Sequence, residues 1–288
     1  METRFLETFL LVAEHGSLAE AGRRLGLTSA AVAQRMQALE DEFGTPLLSR
    51  SGRAVAPTAA GHAILGSARN LLEDLRHLRA LVLEGSMAGE MRLGAISTAM
   101  TGVVPPLLSR MRQTAPAIDL FLLPGTSAEL YEAVRQERLD AAITVRPPFP
   151  LPKSLCWHPI RSERIILIAP PQEEDGDALE LLRRYPLIRY DKNNWGGKLG
   201  ERWLTDNGAQ VNNWVELDQL EAISVLVSRG LGVSILPDWT PPWPEGASAA
   251  RIPLPGPATF REIGLIWPRN SPLGRIVEVM REALGQTA

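Results

Sequence analysis

Residues 17–43 constrain the chain most. Leu18, Ala21 and Leu25 recur at spacings of three and four, which predicts a short amphipathic helix. Gly26 interrupts it, Leu27 fills the corner, and Thr28 or Ser29 is placed to cap the next helix. Val32, Met36 and Leu39 then rebuild an apolar stripe. Ala21 and Gly22 are small where the two helices must cross closely. Two helices joined in this way form a helix-turn-helix, whose second helix fits the DNA major groove.

The outward face of that second helix carries Ser29, Ala30, Ala33, Gln34 and Gln37, with Thr28 at its start. These side chains are short or carry amides, unlike the Lys/Glu mixture of a merely solvated face. Short side chains let a helix sit deep in a groove, and a Gln can bond adenine through two hydrogen bonds. A plain helical hairpin in a globular core would show the same apolar spacing. The segment after it adds a second signal. Residues 44–58 end the helix and predict a short hairpin with Arg50 and Arg53 flanking its tip. Such a wing places two guanidinium groups against phosphates or the minor groove.

Residues 1–60 resemble the winged helix-turn-helix of the LysR-type transcriptional regulators. Phe5, Phe9, Val12, Gly16 and Ser17 carry the likeness in the opening helix. Ala21, Leu25, Ala31, Val32, Leu39 and Glu40 carry it in the motif, and Gly44, Pro46, Leu47, Arg50, Thr58, Ala60 and Gly61 beyond it. The chain departs from the usual pattern at Thr28-Ser29, where the family has Ser-Gln, at Ala33, a common Ser, and at Leu48, usually Phe. These departures bear on which base edges are read, not on the fold.

From Ala59 to about Glu84 there is no proline. Ile64, Ala68, Leu71, Leu75, Leu78 and Val82 follow one another at alternating steps of four and three, which is a coiled-coil seam. The seam can pack on its own domain or pair with a second copy. A long helix between two domains favours pairing, which would set two heads against a two-fold symmetric site. The resemblance implies the same dimer, assembled further into a tetramer.

Gly85 to Glu90 reads as a hinge, after which strands and helices alternate. Residues 91–96, 118–123, 141–145, 165–169, 187–190, 233–236 and 263–267 have strand character. Helical patterns over 103–113, 128–137 and 274–284, with 220–228 continuing the alternation, complete a reading as parallel sheet with helices on both faces. The fold class is therefore α/β: an N-terminal winged helix-turn-helix, a long linker helix and a C-terminal α/β domain. The resemblance implies a two-subdomain, periplasmic-binding-protein-like effector domain. The expected boundaries are 1–58, 59–89 and 90–288, with subdomain I over about 90–160 and 264–288 and subdomain II over about 161–263.

Ligand sites in open α/β sheets form at the carboxyl ends of strands, beside helix N-termini. Ser97 and Thr98 follow the first strand, Thr126 and Ser127 the second, and Thr144 and Arg146 close the third. Any one of these hydroxyls could be a helix cap and nothing more. Their convergence, with the use of these loops that the resemblance implies, makes an effector site for a carboxylate or other anion. Across the cleft, Asp218 is a candidate, with Tyr190, Asp191, Asn193 and Trp195 beside it. Trp195, Trp214, Trp239 and Trp243 could wall a pocket, although core packing suits most of them. Pro241-Pro-Trp-Pro244 reads as a stiff surface element.

Composition sets limits on the rest. The 288 residues are 45% hydrophobic, enough for a core in each part. The net charge is −3, and residues 1–60 hold six arginines against seven acids. DNA affinity must then come from a few well-placed phosphate contacts and depend steeply on salt. The lone Cys156, the absence of a secretory-type opening and the lack of an apolar run of ~20 residues point to a cytoplasmic chain without a membrane partner. His15, His62, His77 and His158 lie far apart, and no metal spacing, phosphate loop or nucleophile elbow appears, so neither an enzyme nor a cofactor is expected. The expectation is a LysR-type regulator of transcription controlled by a small, anionic effector. Its partners would be double-stranded DNA, the effector, its own copies and RNA polymerase. The alternative is a small-molecule-binding protein whose head has an architectural role.

Overall fold

The computed structural model describes residues 2–51, 54–82, 88–239 and 243–285. The chain divides into two compact units, residues 1–82 and 83–288. The hinge read at Gly85 falls largely on residues 83–87, and Pro241 and Pro242 also lie outside the described residues.

The first unit runs α1 (Thr3–His15), α2 (Leu18–Leu25), α3 (Ser29–Phe43), β1 (Leu48–Ser51), β2 (Ala54–Pro57) and α4 (Ala59–Val82). Ser17 caps α2 by accepting from Glu20 N at 3.3 Å. Gly26 ends α2 at φ 65°, a left-handed turn that a side chain would strain. Leu6, Phe9, Val12, Ala21, Val32, Met36, Leu39 and Leu47 fill one core. Ala68 enters that core from α4, and Ile64, Leu65 and Leu72 pack against it. Farther along the same seam, Leu71 and Leu78 are exposed. Antiparallel β1 and β2 form the wing. Its start is held by Glu40, whose Oε1 accepts from Leu47 N at 2.7 Å and Leu48 N at 2.9 Å.

The second unit begins β3 (Ala88–Ala95), α5 (Ser97–Gly102), α6 (Val104–Thr114), β4 (Ala117–Pro124), α7 (Ser127–Arg135) and β5 (Ala141–Val145). It continues β6 (Leu155–Ala169), α8 (Ala178–Arg184), β7 (Pro186–Tyr190), α9 (Gly197–Asp206), β8 (Asn212–Leu217) and α10 (Leu220–Ser228). Then come β9 (Ser234–Pro237), β10 (Ala250–Pro253), β11 (Phe260–Pro268) and α11 (Gly274–Gly285). The order β4-β3-β5-β11-β6 makes the first subdomain's sheet. The far half of β6 pairs with both β9 and β10, and β7 lies parallel to β8. The chain thus leaves the first subdomain along β6 and returns along β11.

The sheet is mixed rather than wholly parallel. β3 is parallel to β4 and β5, whereas β11 is antiparallel to both β5 and β6. The outbound and return strands are neighbours running in opposite directions, which the alternation of strands and helices alone does not reveal. In β6, Ile165, Leu167 and Ala169 enter one core with Leu181, Leu182 and Trp203. Ile166 and Ile168 enter another with Leu220, Ile223, Val227 and Trp239. Both faces are covered, which explains the unbroken apolar run.

Gly61 stands where α4 meets the wing. A Cβ there would lie 2.1 Å from the Leu47 carbonyl oxygen, a backbone atom. Gly61→Ala is expected to cost about 1–3 kcal/mol by overpacking. Denaturant unfolding followed by circular dichroism checks this; an unchanged midpoint would show that α4 shifts freely at its start.

Candidate functional site

In the first unit, Thr28 caps α3, its Oγ1 accepting from Ala31 N at 3.2 Å. Ser29, Ala30, Gln34 and Gln37 are exposed on α3, and Ala33 is half-buried. Gln37 is already engaged, donating from Nε2 to Asp41 Oδ1 at 2.8 Å. Gln34 thus offers its amide outward from the middle of the face. Arg53 and the side chain of Arg50 lie outside the described residues. No ion pair joins this face to the acids at the end of α3 among the described residues.

In the second unit, a cavity of about 350 Å³ opens between the subdomains. Its walls come from the ends of strands. Ile96, Ser97 and Thr98 follow β3, Thr126 and Ser127 follow β4, and Val145 ends β5. From the other side come Tyr190, Asn194, Trp195 and Gly196 after β7, and Asp218 and Gln219 after β8. Arg261 of β11 also lines it.

Four helices start at this cavity: α5, α7, α9 and α10. Their N-caps are Ile96, Thr126, Gly196 and Gln219, and only Thr126 supplies a side-chain cap. Amide N–H groups at an uncapped helix start seek an acceptor, and the helix dipole favours negative charge there. Thr126 forms a full capping box. Its Oγ1 donates to Glu129 Oε2 at 2.8 Å and its N at 2.9 Å, while Glu129 N donates to Thr126 Oγ1 at 3.3 Å. The backbone bond and then the hydroxyl bond from Thr126 hold the Glu129 carboxyl below its ordinary range.

The least expected member is Arg261, 1% exposed. Its Nε and Nη2 donate to Glu163 Oε2 at 2.8 and 2.5 Å, and Nη2 donates to Thr98 Oγ1 at 3.2 Å. Arg261 and Glu163 are cross-strand partners on β11 and β6, the two strands that connect the subdomains. The Tyr190 hydroxyl lies close by, its pKa pushed up by burial and pulled back by the Arg261 charge. With a lone pair of Thr98 occupied by Arg261, its O–H proton is left to donate elsewhere.

Five of the seven residues read from sequence line the cavity: Ser97, Thr98, Thr126, Ser127 and Asp218. Ser127 is tied to the scaffold, its Oγ accepting from Val145 N at 3.0 Å. Thr144 and Arg146 are not brought there. Successive strand residues face opposite sides, and Val145 takes the cavity side, so Thr144 is buried in the sheet. Arg146 is exposed and pairs with Glu262 at 2.7 Å. Of the neighbouring candidates, Tyr190 and Trp195 line the cavity, whereas Asp191 and Asn193 bond each other nearby. Trp214 is exposed, and Trp239 stacks on Trp243 with centroids 4.1 Å apart, away from the cavity wall.

Sequence reasoning missed Arg261, Asn194 and Gly196. A signal for Arg261 existed. It shares strand parity with buried Ile263, as Glu163 does with buried Ile165 and Leu167. Opposite charges at two inward strand positions mark a buried pair. One further contact spans the subdomains: Tyr131 of α7, Phe149 beyond β5 and Trp195 before α9 meet edge to face. Their centroids lie 5.2, 5.8 and 5.6 Å apart.

Among the described residues no helix is long and apolar enough to cross a membrane, and no cluster of His, Cys, Asp or Glu could hold a metal ion. A helix-turn-helix with a wing, a long following helix and a two-subdomain α/β unit with a polar cleft together define a ligand-responsive DNA-binding regulator. Residues 3–62 match the bacterial regulatory helix-turn-helix of the lysR family, and residues 84–288 the LysR substrate binding domain. The chain belongs to the LysR family of transcriptional regulators, whose members are regulators and not enzymes.

Over 240 residues it is 30% identical to the HTH-type transcriptional regulator CzcR of Bacillus cereus, covering 82% of this chain and 80% of that one. It is likewise 30% identical over 235 residues to the HTH-type transcriptional activator CmpR of Synechocystis, covering 80% and 77%. A full-length OxyR variant from Pseudomonas aeruginosa matches with a TM-score of 0.66 at 25% identity, covering 99% of this chain and 94% of that one. Full-length CbnR complexed with its target DNA shares the fold, with a TM-score of 0.70 at 24% identity and coverage of 98% and 100%.

Removing one partner of a buried ion pair strands the other charge. Glu163→Ala is therefore expected to destabilise the second unit by about 3–5 kcal/mol, and Glu163→Leu with Arg261→Met by much less. Urea unfolding of the three proteins tests this, and equal losses in single and double variants would show that the pair is not what is being broken.

Proposed function

We propose that this regulator binds a small effector carrying an anionic group in the cleft cavity and that the bound state changes how its paired heads engage DNA. One observation carries the reading: four helix starts, the Thr98 hydroxyl held by Arg261 and the Tyr190 hydroxyl converge on one cavity. Ser97, Thr98, Thr126, Ser127 and Asp218 are the effector contacts in this reading. Thr144 and Arg146 act only indirectly, through the end of β5. The head of residues 1–58 reads a duplex of imperfect dyad symmetry through Thr28, Ser29, Ala30, Ala33, Gln34 and Gln37, with Arg50 and Arg53 on phosphates. The linker helix, within 59–89, pairs two chains through the seam that leaves Leu71 and Leu78 uncovered, and dimers associate into a tetramer. The protein acts in the cytoplasm, with RNA polymerase as a further partner.

The effector acts by linkage. It shifts the arrangement of subdomains only as far as it binds one arrangement better than the other. Carboxylic acids that raise the melting temperature of the full chain identify effector chemistry, because a ligand of the native state stabilises it.

Base contacts specify and phosphate contacts position. Gln34→Ala is expected to lose about 1–3 kcal/mol of discrimination at one base pair while keeping its salt slope. Gel shifts on a substituted operator series check this. A uniform loss over all duplexes would place Gln34 on the backbone instead.

Leu78→Glu puts a charge into the proposed seam, where burial without a partner is costly. Sedimentation should show smaller species and operator binding should weaken. Unchanged size would locate the pairing surface elsewhere.

A further inference from the structure

The geometry points to a zwitterionic effector of the α-amino-acid type, its carboxylate on the donors around Thr98 and Tyr190 and its ammonium on Asp218. This rests on the reading of the cavity as the effector site and names the ligand class within it.

The argument is one of charge. Three ionisable side chains other than the phenol line the cavity: Arg261, Glu129 and Asp218. Arg261 is the only cation among them, and its buried partner Glu163 is shared with Arg161 at 3.9 Å. The Glu129 carboxylate is held ionised by Thr126 and stays a negative charge on the rim. Asp218 is exposed and makes no ion pair or hydrogen bond with any described residue. The wall is therefore net negative although its floor is built of donors. A purely anionic ligand would satisfy the floor and be repelled by the rim. A cation alone would meet Asp218 and face helix starts whose dipoles oppose it. A molecule carrying both charges satisfies both sets.

The spacing fits. Asp218 follows Leu217, the register partner of Tyr190 on the paired strands β7 and β8, and both Asp218 and Tyr190 line the cavity. The two charges of the ligand are then a few bonds apart, as in an α-amino acid. The cavity, about 350 Å³, is of the size that holds a small organic ligand.

The test uses three matched series on the full-length protein: L-α-amino acids, the same carboxylic acids lacking the amino group, and the same amines lacking the carboxylate. Binding is measured by thermal shift and calorimetry. At least one amino acid should bind about tenfold or more tightly than both of its matched partners, as loss of a charged hydrogen bond implies. In Asp218→Asn and Asp218→Ser that ratio against the carboxylic acid should collapse to about twofold or less. Carboxylic acids that bind as tightly as their amino acids, and more tightly still to Asp218→Asn, would overturn the inference and leave an anionic effector standing. Amino-acid binding untouched by Asp218→Asn and by Thr98→Val would overturn the assignment of the cavity itself. A lowered melting temperature of the empty Asp218→Asn protein with an unchanged ratio would show that Asp218 serves only the α10 dipole. Silence of all three series up to about 10 mM also overturns the inference.

Discussion

Glu163 and Arg261 meet on the two strands β6 and β11, along which the chain passes between its subdomains, and they do so as direct cross-strand partners. Taking both charges out of water is expensive, and apolar residues of similar volume are often as stable at such a place. What apolar residues could not do is hold a lone pair of Thr98. Arg261 bonds Glu163 and Thr98 of the β3–α5 corner, and Tyr190 at the end of β7 lies beside it. One guanidinium therefore ties together both crossing strands and a hydroxyl of the cavity floor. The orientation of the donors in the cavity floor and the register of the crossing strands depend on the same group.

The head solves a different problem, that of binding a polyanion with little positive charge. Two of its acids are put to structural use. Glu20 pairs with Arg23 and Arg24 on α2, and Glu40 turns back to hold the wing's first amides. The exposed face of α3 around Gln34 remains uncharged. A neutral reading face gains little non-specific affinity, so occupancy rests on placing two heads at once, where the second engagement is effectively intramolecular. The uncovered leucines of α4 are the feature through which such pairing is proposed.

How much of this was legible in the sequence follows the range of the interactions. The helix-turn-helix is written in contacts three and four residues apart, with a glycine at each break, so its elements could be read directly. The wing turn was equally local. Strand ends with hydroxyls after β3 and β4 were also legible, and both loops line the cavity. Thr144 and Arg146 were misplaced because β5 is buried on both faces, so alternation gave no sign of which side Thr144 takes. Arg261 was passed over because its partner lies 98 residues away in sequence, and a lone arginine opening an apolar strand looks like a solvated edge. The antiparallel crossing of β6 and β11 was hidden for the same reason, since strand direction is fixed by pairing and not by composition.

The cavity's two walls belong to different subdomains, which is what lets occupancy be felt at a distance. The Tyr131–Phe149–Trp195 cluster draws the subdomains together. Edge-to-face pairs of this kind add about 0.5–1.5 kcal/mol each beyond the area they bury. Opposing them is the like charge of Glu129 and Asp218, one on each wall. A ligand shifts the arrangement of the two walls only by its differential affinity for one arrangement over another, and a few kcal/mol is within the range of measured allosteric couplings. An ammonium between the two carboxylates would remove the repulsion and keep the attraction. On this reading the charge that selects the effector is also the charge that its binding neutralises.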